Sequence, residues 1–178
     1  MNPIPRASAV LLLLLLAPAM AWGKSSDRSQ PMGIQSDSQV GSFDDNGTTV
    51  LTGNVVLSQG SLAITAGRAE LSQRNGDPSQ AIFTGKPVKL RQQLDDGSWM
   101  DAVADRMEYD MTSEVITFLG NYTVKSPKGS NSGQKMVYNT KTSNMQAGGD
   151  GSRVNTIIYP KSAQGQKPAS PDKPSDKP

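Results

Sequence analysis

The feature that most constrains this chain is a short β-rich run that ends in glycine plus a polar residue and occurs three times. It stands as Val50-Leu51-Thr52-Gly53-Asn54-Val55, as Ile82-Phe83-Thr84-Gly85-Lys86-Pro87 and as Thr117-Phe118-Leu119-Gly120-Asn121-Tyr122. A second element follows each copy: Ala66-Gly67-Arg68-Ala69-Glu70-Leu71, Ala104-Asp105-Arg106-Met107-Glu108-Tyr109 and Gly133-Gln134-Lys135-Met136-Val137-Tyr138. A fainter copy, Ser36-Asp37-Ser38-Gln39-Val40, opens the domain. Copies recur at intervals of roughly 30 to 40 residues, which in an all-strand chain means stacked hairpin units, each burying its face on the next. Glycine inside a strand marks a bulge, a bend or a close backbone approach. Three bends at equivalent positions curl an antiparallel sheet, so a jellyroll or solenoid with a trough inside is expected.

The rest of the pattern agrees. Helical periodicity is nearly absent, and short runs alternate apolar and polar residues as half-buried strands do. Leu62, Ile64 and Ala66 share one face, and Val88 and Leu90 point away from Lys89 and Arg91. Val103, Met107 and Tyr109 are placed on one parity, against Arg106, Glu108 and Asp110. Asn46-Gly47, Asn75-Gly76 and Asp96-Gly97 are dipeptides that accept positive φ in tight turns. Ser126-Pro127-Lys128-Gly129 and Gly148-Gly149-Asp150-Gly151 are further breakers.

Three segments follow from composition. Residues 1–21 read as a secretory signal: Arg6 is the basic n-region, Leu11–Leu16 the apolar core, and Ala19-Met20-Ala21 the small-x-small cleavage site. Residues 161–178 are Lys, Pro, Ser, Gln, Asp, Gly and Ala, too polar to offset their ordering entropy, and read as a disordered tail. Residues 30–160 remain as one folded domain. Without Arg6 the mature charge is +1, with its basic residues scattered, so nucleic acid is not indicated. The chain holds no cysteine and no histidine. No disulfide contributes, and the commonest general base, the thiol nucleophile and most zinc ligands are missing. No cofactor is expected.

The apolar positions admit two readings, an ordinary β-sandwich core or a lined trough. Two features favour the trough. Aromatic residues make up only 5% of the chain. Small or unbranched residues (Met32, Ala66, Ala69, Ala104, Met107, Met111, Met136) recur on the presumed inner face, and methionine adapts to irregular partners such as acyl chains. Other sites are weak. Asp44-Asp45-Asn46-Gly47 lacks the spacing of a calcium loop and reads as a turn. Asp101, Asp105, Glu108 and Asp110 could pair as glycosidase carboxylates, but nothing supplies a cleft. Gly85-Lys86 is followed by Pro87 and lacks the earlier glycine of a phosphate-binding loop. Arg68, Arg74, Lys86 and Arg91 could meet lipid phosphates, though a solvated face explains them as well. The chain is read as a non-enzyme.

Ile34-Gln35-Ser36-Asp37, Val50-Leu51-Thr52-Gly53-Asn54-Val55 and Gln59-Gly60-Ser61-Leu62-Ala63-Ile64-Thr65-Ala66 resemble the start of the OstA-like domain family. Gly85-Lys86-Pro87, Leu119-Gly120-Asn121 and the ending Arg153-Val154-Asn155-Thr156 extend the resemblance over residues 30–160. It implies an all-β, half-open antiparallel β-jellyroll of repeated hairpins in a Gram-negative periplasm, the signal being removed after Ala21. It implies lipopolysaccharide as ligand, held by the lipid A acyl chains, and partners at both membranes: an LptC-like inner-membrane domain and an LptD-like outer-membrane domain. It also implies head-to-tail self-association. The family's apolar lining falls on Met32, Ile34, Phe43 and Leu90; with the inner-face residues Leu62, Ile64, Met107, Tyr109 and Phe118 these are the candidate groove. Ile34 and Gln35 at one sheet edge, and Val154, Thr156 and Ile158 at the other, are the candidate docking strands. The alternative is an envelope assembly protein that polymerises through those edges without binding lipid.

Overall fold

The computed structural model describes residues 27, 29–42 and 44–160, which build one antiparallel sheet of ten strands. The expected signal, the expected tail and Phe43 lie outside the described residues. The strands are β1 (Met32–Gln35), β2 (Ser38–Gly41), β3 (Thr48–Gln59), β4 (Leu62–Arg74), β5 (Asp77–Gln93), β6 (Trp99–Asp110), β7 (Val115–Ser126), β8 (Gly129–Asn139), β9 (Met145–Ala147) and β10 (Asn155–Ile158). Their order is β1-β3-β4-β5-β6-β7-β8-β10, with β2 also on β3 and β9 also on β8. Among the described residues the sheet therefore does not close on itself, and it has an edge at each end. The turn dipeptides sit where the chain reverses: Asn75 and Gly76, with φ of 54° and 83°, join β4 to β5.

The long strands share an interruption at one level of the sheet, and the β4–β5 ladder has a second one between Ser72 and Gln73. The register jumps between Thr52 and Val55 on β3, between Thr65 and Arg68 on β4, between Thr84 and Val88 on β5, between Val103 and Arg106 on β6 and between Leu119 and Tyr122 on β7. The interruptions line up across the sheet. They fold it into two layers that share every long strand. The first layer contains β2, the stretches 48–52, 68–74, 77–84, 106–110, 115–119 and 135–139, and β9. The second contains β1, the stretches 55–59, 62–66, 88–93, 99–104, 122–126 and 129–133, and β10. The repeat read in the sequence is this bend, and Gly53, Gly85 and Gly120 stand on it.

Two of the bends are chemically the same. Gly53 and Gly120 have φ of 76° and 73°, and the asparagines after them have φ of 42° and 45°. Asparagine is among the few residues with a side chain that tolerate the left-handed region. In each case the amide is held by an aspartate on the neighbouring segment. Asn54 Nδ2 donates to Asp37 Oδ2 at 2.9 Å, and Asn121 Nδ2 donates to Asp105 Oδ2 at 2.8 Å. A Cβ on Gly53 would come within 2.3 Å of Asp37 Oδ2, and one on Gly120 within 2.6 Å of Asp105 Oδ2. Asp37 and Asp105 occupy matching places in the second repeated element, so the faint copy at Ser36–Val40 is a true structural copy. Gln134 adds a second clamp on Asn121, its Nε2 donating to Asn121 Oδ1 at 3.2 Å.

The inner faces of the two layers make one buried cluster. Leu51, Phe83, Met107, Ile116, Phe118 and Met136 come from the first layer, and Val55, Leu57, Ile64, Val88, Leu90 and Tyr122 from the second. Burying each large side chain of this kind is worth about 1.5–3 kcal/mol, which replaces the help a disulfide would give. Tyr138 in the first layer donates to Gln92 Oε1 in the second at 3.3 Å, a buried bond across the interior. One face assignment changes. Val103 is only partly buried, and Ala102 and Ala104 point inward instead. The register breaks before Arg106, with the extra residues on β5 and β7, and across that break the inward positions of β6 step by three, from Ala104 to Met107, which reverses the side-chain alternation on that strand.

Candidate functional site: the groove between two layers

Strand alternation lines the interlayer space. Ile34 pairs with Leu57, Leu57 with Ile64, and Ile64 with Leu90, so one apolar row crosses the second layer from its edge inward. Opposite it, Phe83 pairs with Met107 and Met107 with Phe118, and Phe118 pairs with Met136. The described candidate lining residues all face this space. Leu62, Ile64, Leu90, Met107, Tyr109 and Phe118 are buried, none more than 3% exposed. Met32 and Ile34 are half-buried against the same cluster. Over its central stretch, then, the two layers rest on each other.

The interior opens toward the two ends. A notch of about 330 Å³ is lined by Met32, Gln59, Asp77, Pro78, Tyr109, Met111 and Glu114. A second notch, of about 170 Å³, lies at the other sheet edge between Met145 of β9 and Val124, Asn131, Thr156 and Ile158 of the second layer. Each notch joins residues of both layers, as the mouth of a folded sheet must.

β1 carries Ile34 and Gln35 and pairs only with β3, while β10 carries Thr156 and Ile158 and pairs only with β8. Val154 lies one residue before β10. The second edge is apolar and bare: Ile157 is 50% exposed and Ile158 80%.

The polar candidates lie elsewhere. Asp101 stands 3.6 Å from Arg91, whose guanidinium sits 4.7 Å above the Trp99 ring. Glu108 pairs with Arg106 at 2.8 Å, and Asp110 accepts from the backbone of Thr112 and Ser113. These carboxylates are spread along β6 in structural roles. Arg68 pairs with Glu70 at 2.8 Å. The Asp45–Asn46 turn packs on the β4–β5 hairpin, with Gly76 N donating to Asp45 O at 2.9 Å. Lys128 holds the Asp96 carboxyl well below the usual carboxylate range by a 2.8 Å contact between neighbouring turns.

Sequence reasoning missed several interior residues. Gln92 and Tyr138 carry the cross-layer bond, and Tyr122 fills the second layer beside the C-terminal notch. No local signal marks Gln92, since a glutamine near a strand end is ordinarily solvated. Tyr122 was visible as the inward partner two residues after the Gly120 bend. Asp27 caps the β3–β4 turn by accepting from Ser61, and no pattern at that position announced it.

Comparison with known proteins agrees with this geometry. Residues 33–144 match the family described as LptA/(LptD N-terminal domain) LPS transport protein. The chain is 32% identical over 162 residues to the lipopolysaccharide export system protein LptA of Haemophilus influenzae, covering 88% of this chain and 93% of that one. It is 32% identical over 165 residues to LptA of Escherichia coli K12, covering 88% of each. It is 31% identical over 161 residues to LptH of Pseudomonas aeruginosa, covering 84% and 91%. The crystal structure of LptH, described as the LptA-homologous periplasmic component of the lipopolysaccharide transport device in Pseudomonas aeruginosa, superposes with a TM-score of 0.67 at 28% identity. That match covers 76% of this chain and 99% of LptH. The folded sheet, its repeated bends and these matches together place the chain in the LptA/LptD N-terminal-domain family of lipopolysaccharide-transport proteins.

Proposed function

We propose that this chain is a periplasmic lipopolysaccharide carrier that shields lipid A acyl chains between its two sheet layers and bridges the transport machinery of the inner and outer membranes. One observation carries the reading: a single apolar inner face runs from the free edge at β1 toward the free edge at β10 without a closing strand. A closed barrel would end the groove inside one molecule. An open, folded sheet lets it continue into the next. Each methylene moved out of water is worth about 0.8 kcal/mol, so a dozen give roughly 10 kcal/mol gross before association costs. This non-enzymatic role needs no catalytic group. Because the central lining is buried, an acyl chain enters from a notch by parting the layers. The lining is Met32, Ile34, Phe43, Leu62, Ile64, Leu90, Met107, Tyr109 and Phe118.

In the same reading, the signal is cleaved after Ala21, residues 30–160 fold as the working domain, and residues 161–178 are a disordered tail. The β1 edge, with Ile34 and Gln35, and the β10 edge, with Val154, Thr156 and Ile158, join head to tail by strand addition. The same edges meet LptC-like and LptD-like domains. Heterologous edge contacts of this kind make open filaments. The bare apolar edge at Ile157 and Ile158 also suits an assembly protein that polymerises without lipid.

Photo-crosslinking separates the two. A photoreactive residue at Ile34 or Leu90 should capture labelled lipopolysaccharide, and one at outward Lys89 should not. Equal capture at all three positions, or none, removes the carrier reading and leaves the assembly one. Ile64→Asp is a poor probe of the groove. Ile64 is wholly buried, so an unpaired carboxylate there unfolds the sheet before it reports on lipid.

A further inference from the structure

The inner face is apolar along most of its length but changes character at the C-terminal mouth. The β8 stretch of the second layer reads Gly129-Ser130-Asn131-Ser132-Gly133, with no large apolar residue. Register places Asn131 opposite Val124 on one side and Thr156 on the other, and Gly133 opposite Tyr122. A Cβ on Gly133 would stand 3.1 Å from both Cε1 and the hydroxyl oxygen of Tyr122, tighter than an ordinary contact. The Tyr122 ring therefore lies over the glycine, and its hydroxyl donates to Asn131 Oδ1 at 2.6 Å. Asn131 Nδ2 in turn donates to Thr156 Oγ1 at 2.8 Å. In this orientation the amide oxygen is taken by Tyr122 and the nitrogen faces the mouth.

Two donors are left over. Asn131 has a second N–H, and the Thr156 hydroxyl, having accepted from Asn131, keeps its own hydrogen. Neither has an acceptor among the described residues. Both sit in the wall of the 170 Å³ notch, next to Val124, Met145 and Ile158. That wall contains no carboxylate, and its single cation, Lys128, is tied to Asp96. The notch thus offers two neutral donors, one of them on exposed Thr156, beside apolar side chains and no carboxylate. The ligand group that matches is an acceptor on the end of a hydrocarbon chain.

We propose that Asn131 and Thr156 form a polar subsite at the C-terminal mouth that receives the ester or amide carbonyl joining an acyl chain to its headgroup, while the chain itself lies on the apolar face beyond. The inference rests on the carrier reading above and adds an orientation to it: the polar junction of the amphiphile sits at the β10 mouth. Tyr122 is a positioning residue that turns the Asn131 amide.

The test compares two probes on the mature chain: purified lipopolysaccharide, which has acyl carbonyls, and N-phenyl-1-naphthylamine, which is apolar and has none. Thr156→Val keeps the shape of an edge-strand side chain and removes the hydroxyl. It should weaken lipopolysaccharide binding about five-fold, the effect of one ordinary hydrogen bond, and leave the naphthylamine unchanged. Asn131→Asp keeps the acceptor for Tyr122 but replaces the donor with an anionic oxygen, and should weaken lipopolysaccharide about ten-fold or more with the same selectivity. Strand content by circular dichroism confirms that both variants fold. Equal loss for both probes, or no loss for either, overturns the subsite while the carrier reading stands. A wild-type chain that takes neither probe overturns the carrier reading, and the subsite falls with it.

Discussion

The two free edges of this sheet are built differently. The N-terminal edge is stapled down. Asp37 N donates to Gly53 O at 2.9 Å, and its carboxylate takes the Asn54 amide. Gln59 Nε2 donates to Gln30 O at 3.3 Å, and Met32 and Ile34 press on the core. The C-terminal edge has β9 and β10 separated by the Gly148–Gly151 loop, all four residues of β10 exposed, and bare Ile157 and Ile158. Its links inward are the Tyr122–Asn131–Thr156 relay and Tyr159 N donating to Lys128 O at 3.0 Å. A sheet edge is a template for pairing with another chain, and charge, burial or covering blunts it. Here β1, in the second layer, is finished by polar clamps and half-buried side chains, while its counterpart β10 is left apolar; β2, which carries the N-terminal edge into the first layer, is exposed along its length, with Val40 at 71%. The contrast gives the molecule a direction that a symmetric pair of edges would lack.

The strongest way to break this comparison is to disturb the same bend at an edge and inside the sheet. Gly120→Val adds a side chain at φ 73° against Asp105, with strands on both sides, and should cost about 3 kcal/mol in denaturant unfolding. Gly53→Val makes the same insult where only β1 and β2 lie beyond, and should cost less. Equal losses would mean that the N-terminal edge is integral to the core rather than attached to it.

A smaller effect tests the C-terminal relay. Tyr122→Phe removes one partly buried hydrogen bond and should cost about 1 kcal/mol. Burial, and secondarily the Asp150 charge, raise the Tyr122 hydroxyl above the ordinary tyrosine range. A raised folded-state value means this stability is present below about pH 10 and is lost as pH climbs through the folded value. Wild type should therefore weaken above pH 10, and the phenylalanine variant should show a flatter alkaline limb.

Asp37→Ala should cost about 1 kcal/mol, since its bonds are exposed to solvent. Amide exchange should quicken in β1 and β2 and stay unchanged in β9 and β10. Spread of the effect to the far edge would erase the distinction. The smallest change in stability, under about 0.5 kcal/mol, belongs to the double variant Ile157→Asn, Ile158→Asn on the bare edge. Its sedimentation should nonetheless shift toward monomer at concentrations where the wild type associates. Unchanged association would remove β10 from the docking surface.

Much of this was legible in the chain itself. Gly53 and Gly120 were readable as bends because glycine followed by asparagine inside an apolar run has few other uses. Asp37 was visible as a weak copy of Asp105, and the structure shows why the aspartate recurs: it holds the amide of the bend opposite. Alternation placed Ile64, Leu90, Met107 and Phe118 on the inner face. The same alternation misplaced Val103, because at the register break the inward positions of β6 step by three, from Ala104 to Met107, and nothing local announces where that happens.

Local sequence thus determined the strands, the turns, the bends and the side of the sheet that is apolar, since these follow from backbone freedom and a two-residue period. Only the tertiary structure decided how that apolar side is used. Whether two halves of one sheet face each other depends on bends aligning across neighbouring strands, as Thr52, Thr84 and Leu119 do. Contacts such as Tyr138 with Gln92, 46 residues apart, exist only once that alignment is complete. Pairing over such distances depends on the whole register at once, and so it is not written at any one position.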